Sequence, residues 1–234
     1  MQTQLYLIPT TLGENWTYIP EDVRHIARST RVFIVENLRS ARRHLRKLGN
    51  SMEFDTEVDF FELNKHETNI EELFNFIQKH KQTGNPIGLL SEAGNPCIAD
   101  PGNLAVEICH QLGIEVKPMV GPSSILMCLI ASGFNGQQFT FHGYLPIDKK
   151  EKRNKIKDLE KNLNQTGYTQ LFMETPYRNE QLLEELINSL HPDTHLCIAA
   201  DIGEASEFIQ TRKVNKWKNH PNLHKRPAVF AIGK

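Results

Sequence analysis

Between residues 87 and 102 the chain reads IGLLSEAGNPCIADPG and changes character twice. Ile87, Gly88, Leu89 and Leu90 form a short apolar run with the length and composition of a buried strand. Glu92, Ala93, Gly94, Asn95 and Pro96 are turn residues. Gly94 permits close approach of the backbone to a ligand, and Pro96 holds Asn95 extended. After Asp100, Pro101 and Gly102 a helical period begins at Leu104. Asp100 followed by Pro101 reads as an N-cap with proline at the first helical position, a role compatible with lining a pocket. A strand that opens through a tight Gly/Pro loop into a helix is how open α/β sheets place ligands beyond the carboxyl ends of their strands.

The same alternation extends both ways along the chain. Upstream, residues 5–8 read as a strand and Pro9, Thr10, Thr11, Leu12 and Gly13 as a loop that either grips part of a ligand or merely connects; Gly13 is expected to be able to take a positive φ. A helix is expected over residues 19–27, a strand over 32–35 ending at Glu36, and another strand over 60–63. Ile70, Leu73, Phe74 and Ile77 mark an amphipathic helix. Downstream, Leu104, Ala105, Ile108, Cys109 and Leu112 form a helical stripe closed by Gly113, and a strand follows over 115–120. Ser123 and Ser124 precede the apolar residues 125–131, either as an N-cap or as a helix N-terminus open to a carboxylate. Further strands are expected over 139–143, 171–173 and 196–200, then over 208–214 and 228–232, the last two antiparallel. Leu182, Leu183, Leu186, Ile187 and Leu190 mark a helix between them. The pattern is α/β, with two α/β domains over residues 1–120 and 121–234 and a mostly parallel sheet.

Composition narrows the function classes. The 234 residues carry 27 Lys+Arg against 28 Asp+Glu, so net charge demands no nucleic-acid partner. The 4 cysteines, Cys97, Cys109, Cys128 and Cys197, form no C-x-x-C pair and fit reduced thiols in a cytoplasmic protein. The start, MQTQLYLIP, has neither the basic nor the apolar region of a signal peptide, and residues 125–131 are too short to span a bilayer. No phosphate-binding, zinc-protease or nucleophile-elbow motif occurs. The pairs His191/His195 and His220/His224 are each interrupted by proline and supply too few ligands, so no metal is expected. One local feature opposes the neutral average. Arg39, Arg42, Arg43, Arg46 and Lys47 share one face if helical, which reads as a solvated face or as a contact for a phosphate backbone. Residues 149–157 are rich in lysine, with Arg153 among them.

The stretch SEAGNPCIADPG resembles the (S)DAGTPxIxDPG signature of the tetrapyrrole-methylase-like superfamily of S-adenosylmethionine-dependent methyltransferases. Within it, the chain is most similar to the small-subunit ribosomal RNA methyltransferase I type. Other landmarks follow in order. LYLIPTTLG at residues 5–13 resembles LYxVPTPIGN, and GPSS at 121–124 resembles PGPSA. FHGYLP at 141–146 resembles FxGFLP, and METPYR at 173–178 resembles YESPHR. The match covers nearly the whole chain. It departs at Asn37, where the family has aspartate; at Glu92, where aspartate precedes Ala-Gly; at Asn64, Lys65, His66 and Glu67, in place of HxHNE; and at Asp201, Ile202 and Gly203, in place of RE(L)T.

The resemblance implies a cofactor cleft between two α/β domains, with S-adenosylmethionine gripped by Pro9, Thr10, Gly13, Glu92, Ala93, Gly94, Asn95, Pro96, Ser123, Ser124, Met173 and Ala228. It implies that Glu36, Asp100 and Glu174, acids at expected strand ends, either activate a ribose 2′-hydroxyl as general base or serve as caps and contacts. It further implies that Arg39, Arg42, Arg43, Arg46 and Arg178 contact RNA, and that ribosomal RNA or the small ribosomal subunit is the partner of a homodimer. The rival readings are methylation of a tetrapyrrole ring carbon and a non-catalytic cofactor-binding module. Longer relatives are expected to continue into a small C-terminal domain.

Overall fold

The computed structural model describes residues 3–63 and 69–234; the departure at Asn64–Glu67 lies outside the described residues. The chain divides into two compact units, Met1–Ser123 and Ser124–Lys234.

The first unit runs β1 (Gln4–Ile8), α1 (Glu21–Ser29), β2 (Val32–Val35), α2 (Leu38–Leu48), α3 (Phe54–Glu57), β3 (Asp59–Glu62), α4 (Ile70–Thr83), β4 (Ile87–Leu90), α5 (Asn103–Gln111) and β5 (Glu115–Pro118). The strand order is β3-β2-β4-β1-β5, and every pairing is parallel. Strands covered on both faces read as continuous apolar runs, as β2 and β4 do. Their alternate side chains sort into two cores. Val32, Ile34, Ile87 and Leu89 pack with Leu73 and Ile77 of α4 and Ala105 and Ile108 of α5. Phe33, Val35, Ile8 and Leu90 pack with Val23 and Ala27 of α1 and Leu45 and Leu48 of α2. Gly88 is what lets Phe33 and Ile8 meet over the sheet, since a Cβ there would lie 2.8 Å from the Phe33 ring. The neighbouring strands β1 and β4 therefore send their connections to opposite faces. Their carboxyl ends form a topological switch point, where open α/β sheets bind ligands.

The second unit runs α6 (Ser124–Ser132), β6 (Phe139–Tyr144), α7 (Lys149–Thr166), β7 (Thr169–Met173), α8 (Asn179–Ser189), β8 (His195–Ala200), β9 (Phe208–Lys213) and β10 (Ala228–Gly233). Its sheet has the order β6-β7-β10-β8-β9. Only β6 and β7 pair in parallel; β10 and β9 are antiparallel to their neighbours, as their late position led us to expect. The sheet's core holds the stacked rings of Phe172 and Phe230, 6.0 Å apart, and the fully buried Trp217, whose indole donates to the Leu196 carbonyl at 3.3 Å. α7 buries Lys152, Ile156, Leu159 and Leu163. Among the described residues no helix is long and apolar enough to cross a membrane.

Candidate active site

In the first unit three loops converge at the switch point. The Thr10 N–H donates to the Gly94 carbonyl at 2.9 Å, and the Thr10 hydroxyl donates to the Ser91 carbonyl at 3.3 Å. Ser91 Oγ donates to the Gly94 carbonyl at 2.5 Å. The Asn95 amide reaches the Gly121 carbonyl at 3.4 Å. Gly94 is buried with φ +72°, and a Cβ there would meet the Pro122 carbonyl at 3.1 Å and Leu12 at 3.2 Å. Its lack of a side chain thus lets loop approach loop. Gly121 is closer still, with a notional Cβ 2.2 Å from that of Pro9. Gly13 is not among the glycines of positive φ; its N–H instead meets the Thr11 hydroxyl at 3.4 Å. Pro9, Thr10, Gly94 and Asn95 thus come together with Gly121, with Pro96 buried and Glu92 and Ala93 exposed.

Glu36 is half-buried immediately after β2. Beside it Asn37 caps α2, its side chain accepting from the Ser40 N–H at 3.1 Å. Asparagine and aspartate cap equally well, so the departure at position 37 leaves the helix start intact. Ser40 Oγ donates to a Glu92 carboxylate oxygen, which ties the ends of β2 and β4 together.

Asp100 corrects an expectation. α5 starts at Asn103 with no side-chain cap, so Asp100 is not its N-cap. Its Oδ1 accepts from the N–H groups of Cys97 and Gly102, both at 2.8 Å. Cys97 and Ala99 both lie in the left-handed region, at φ 68° and 61°, a conformation that costs non-glycine residues. The carboxylate ties the loop on both sides of this strained stretch.

The basic helix α2 forms as expected, but its arginines divide. Arg42 pairs with Asp55 at 2.7 Å and lies 5.6 Å over the Phe60 ring. Arg46 lies 4.1 Å over the Phe54 ring and donates to the Asn50 carbonyl at 3.0 Å. Arg39, Arg43 and Lys47 are exposed along the other edge. The opposite side of the helix buries His44, whose ring lies 5.4 Å from that of Trp16; burial holds its pKa below the ordinary 6.5, against the raising influence of Glu92.

In the second unit, Met173 ends β7 and pairs with Val229 of β10, next to Ala228, so both expected grip residues lie at one end of the sheet. Ser124 opens α6 and Ser123 precedes it, both half-buried. Glu174, directly after β7, has no exposed side-chain surface. It anchors a triad, with Lys152 at 3.2 Å and Arg178 at 2.6 Å, and its Oε1 also accepts from the Thr175 N–H at 2.8 Å. Burial alone would raise its pKa, but the bonds from Arg178, Thr175 and Lys152 prevail and hold it below 4.5. A carboxylate with both oxygens occupied and its ionised form this stabilised is a poor proton acceptor. The structure therefore makes Glu174 the anchor of Arg178, against the expectation of a catalytic base. Part of the lysine-rich stretch is likewise engaged. Lys152 is buried in the triad, and Lys149 and Arg153 pair with Glu185 at 3.6 and 3.0 Å. Among the described residues no group of three or more His, Cys, Asp or Glu is arranged to hold a metal.

The two α/β units share their fold with solved methyltransferases. The chain superposes on the methyltransferase CobJ with a TM-score of 0.65, covering 100% of this chain and 95% of that one at 12% identity. It superposes on the cobalamin biosynthetic enzyme cobalt precorrin-4 methyltransferase, CbiF, with a TM-score of 0.62, covering 98% and 94% at 14% identity. At such identities the likeness establishes the fold alone. Residues 4–216 match the family of tetrapyrrole (corrin/porphyrin) methylases, and the chain belongs to it; it is a methyltransferase. It is 30% identical to ribosomal RNA small subunit methyltransferase I of Vibrio cholerae, over 88% of this chain and 67% of that one. It is also 30% identical to the protein of that name from Bacillus subtilis, over 94% and 71%, and 28% identical to that from Escherichia coli O157:H7, over 99% and 78%.

Proposed function

We propose that this methyltransferase uses S-adenosylmethionine to methylate a ribose 2′-hydroxyl of small-subunit ribosomal RNA. The observation that carries the reading is that relatives from distant bacteria, aligned over most of both chains, bear the name ribosomal RNA small subunit methyltransferase I. The reading includes a cytoplasmic location and a homodimeric state.

The residues at the switch point fit the donor. The loops there are built of small and proline residues, and the exposed Glu92, whose carboxylate also accepts from Ser40, suits a ligand carrying an ammonium, a ribose diol and a sulfonium. When bound, S-adenosylmethionine supplies a methyl group activated by its positive sulfur. Pro9, Thr10, Gly13, the run Glu92, Ala93, Gly94, Asn95 and Pro96, and Ser123 would hold it. Glu36, half-buried at the carboxyl end of β2, takes the hydroxyl proton in this reading. Arg39 and Arg43 steer the phosphate backbone.

Transfer of tritiated methyl from the donor to isolated small ribosomal subunits, free small-subunit RNA and a porphyrinogen tests the reading. Label in RNA that makes one internucleotide bond resistant to alkali is expected, with a loss of about 10²-fold or more in Glu36→Gln if that carboxylate is the base. Label on the porphyrinogen and none on RNA would assign the chain to ring-carbon methylation.

A further inference from the structure

The turn after β7 presents a tyrosine to solvent beside Lys225. Tyr177 is 71% exposed, in the short 3-10 turn Pro176–Arg178. Burial therefore contributes little to holding it there. The segment ahead of β10 is stapled against this turn. The Lys225 N–H donates to the Pro176 carbonyl at 3.1 Å, and the fully buried Asn179 donates to the Arg226 carbonyl at 2.6 Å. Arg226 is itself fixed by Asp201 at 2.7 Å. These bonds place the Lys225 ammonium 5.9 Å from the centre of the Tyr177 ring and the His224 ring edge-on at 6.3 Å. Lys225 adopts φ +60° to do so. A left-handed lysine is unfavourable, and because Lys225 is exposed, packing does not offset that cost. Arg178, the next residue in the chain and one-third exposed, is held by the buried Glu174.

An exposed ring with Lys225 over it, His224 edge-on to it and Arg178 next in the chain has the composition of a stacking platform for a single-stranded nucleic acid: bases stack on the aromatic face and the charges of Lys225 and Arg178 meet the flanking phosphates. We propose that Tyr177, with Lys225 and Arg178, stacks an unpaired base of the RNA substrate. The platform rests on the RNA reading above and deepens it, because stacking requires an unpaired nucleotide and so assigns the substrate to a single-stranded region.

The test measures binding of the full chain to a short fluorescent single-stranded RNA and to its duplex, alongside methyl transfer to small subunits. Tyr177→Ala should weaken single-strand binding about tenfold or more and leave the duplex unaffected, while Tyr177→Trp restores it. Lys225→Gly should weaken single-strand binding with a shallower salt dependence while its melting temperature holds or rises, because glycine accepts the left-handed backbone. That variant keeps the test independent of folding defects. Wild-type single-strand affinity in Tyr177→Ala, or equal losses on single strand and duplex, would overturn the platform and leave the RNA reading standing if wild-type protein still labels small subunits. A wild-type protein that neither binds RNA nor labels subunits would remove both.

Discussion

Glu174 shows how far a residue's chemistry depends on neighbours that sequence distance conceals. Lys152 lies 22 positions away and approaches to 3.2 Å; in the sequence it is one lysine of a basic cluster, indistinguishable from its solvated companions. Asp100 was read as a helix cap and instead braces a loop through two backbone N–H groups, because whether a carboxylate caps a helix or braces a loop turns on a difference of a few residues in the helix start. Removing the charge at the centre of the triad would leave Lys152 buried without a counter-ion. Glu174→Gln is therefore expected to cost about 3–5 kcal/mol, read from urea denaturation, with transfer per folded molecule largely retained at low temperature. A variant of wild-type stability that had lost transfer would restore Glu174 to the catalytic group.

Among the elements, strands of the first sheet were the most legible, since burial on both faces makes β2 and β4 uninterrupted apolar runs. α7 was the least, because its buried stripe opens with Lys152 and carries only Ile156, Leu159 and Leu163 behind it. α2 was read correctly as a basic helix and incompletely as a single basic face. Arg42 and Arg46 are occupied with Asp55, Phe54 and Phe60, contacts made to a segment whose approach no local pattern announces. Two double variants separate the roles. Arg42→Ala with Arg46→Ala should lower stability by about 1–2 kcal/mol. Arg39→Ala with Arg43→Ala should leave the melting temperature unchanged and reduce the slope of log affinity for RNA against log salt by about 1.4 to 1.8. An unchanged slope in the second pair would release the helix from RNA contact.

Across the whole molecule, the two units carry titratable groups whose shifts run the same way. Burial depresses the pKa of His44 and His80 in the first unit and of His142 in the second, below the ordinary 6.5, so each stays neutral in the fold at a pH where the unfolded chain would protonate it. Asp59 is held below 3.8, where bonds and charge from Lys79 and His80 outweigh a raising influence of burial, and Glu174 is held below 4.5 by its triad. A group with a depressed folded pKa contributes stability above its unfolded pKa and loses it as pH falls toward the folded value. Acidification should therefore destabilise in two stages. The first begins as pH falls through 6.5 and comes from the histidines; the second begins below 4.5 and comes from Glu174, with Asp59 following below 3.8. Urea midpoints followed from neutral pH downward would trace both limbs. His44→Phe retains a ring beside Trp16 and should flatten the first limb without moving the second, whereas a midpoint that stays constant from neutrality to the carboxylate range would show that the buried histidines do not contribute to the pH dependence of folding.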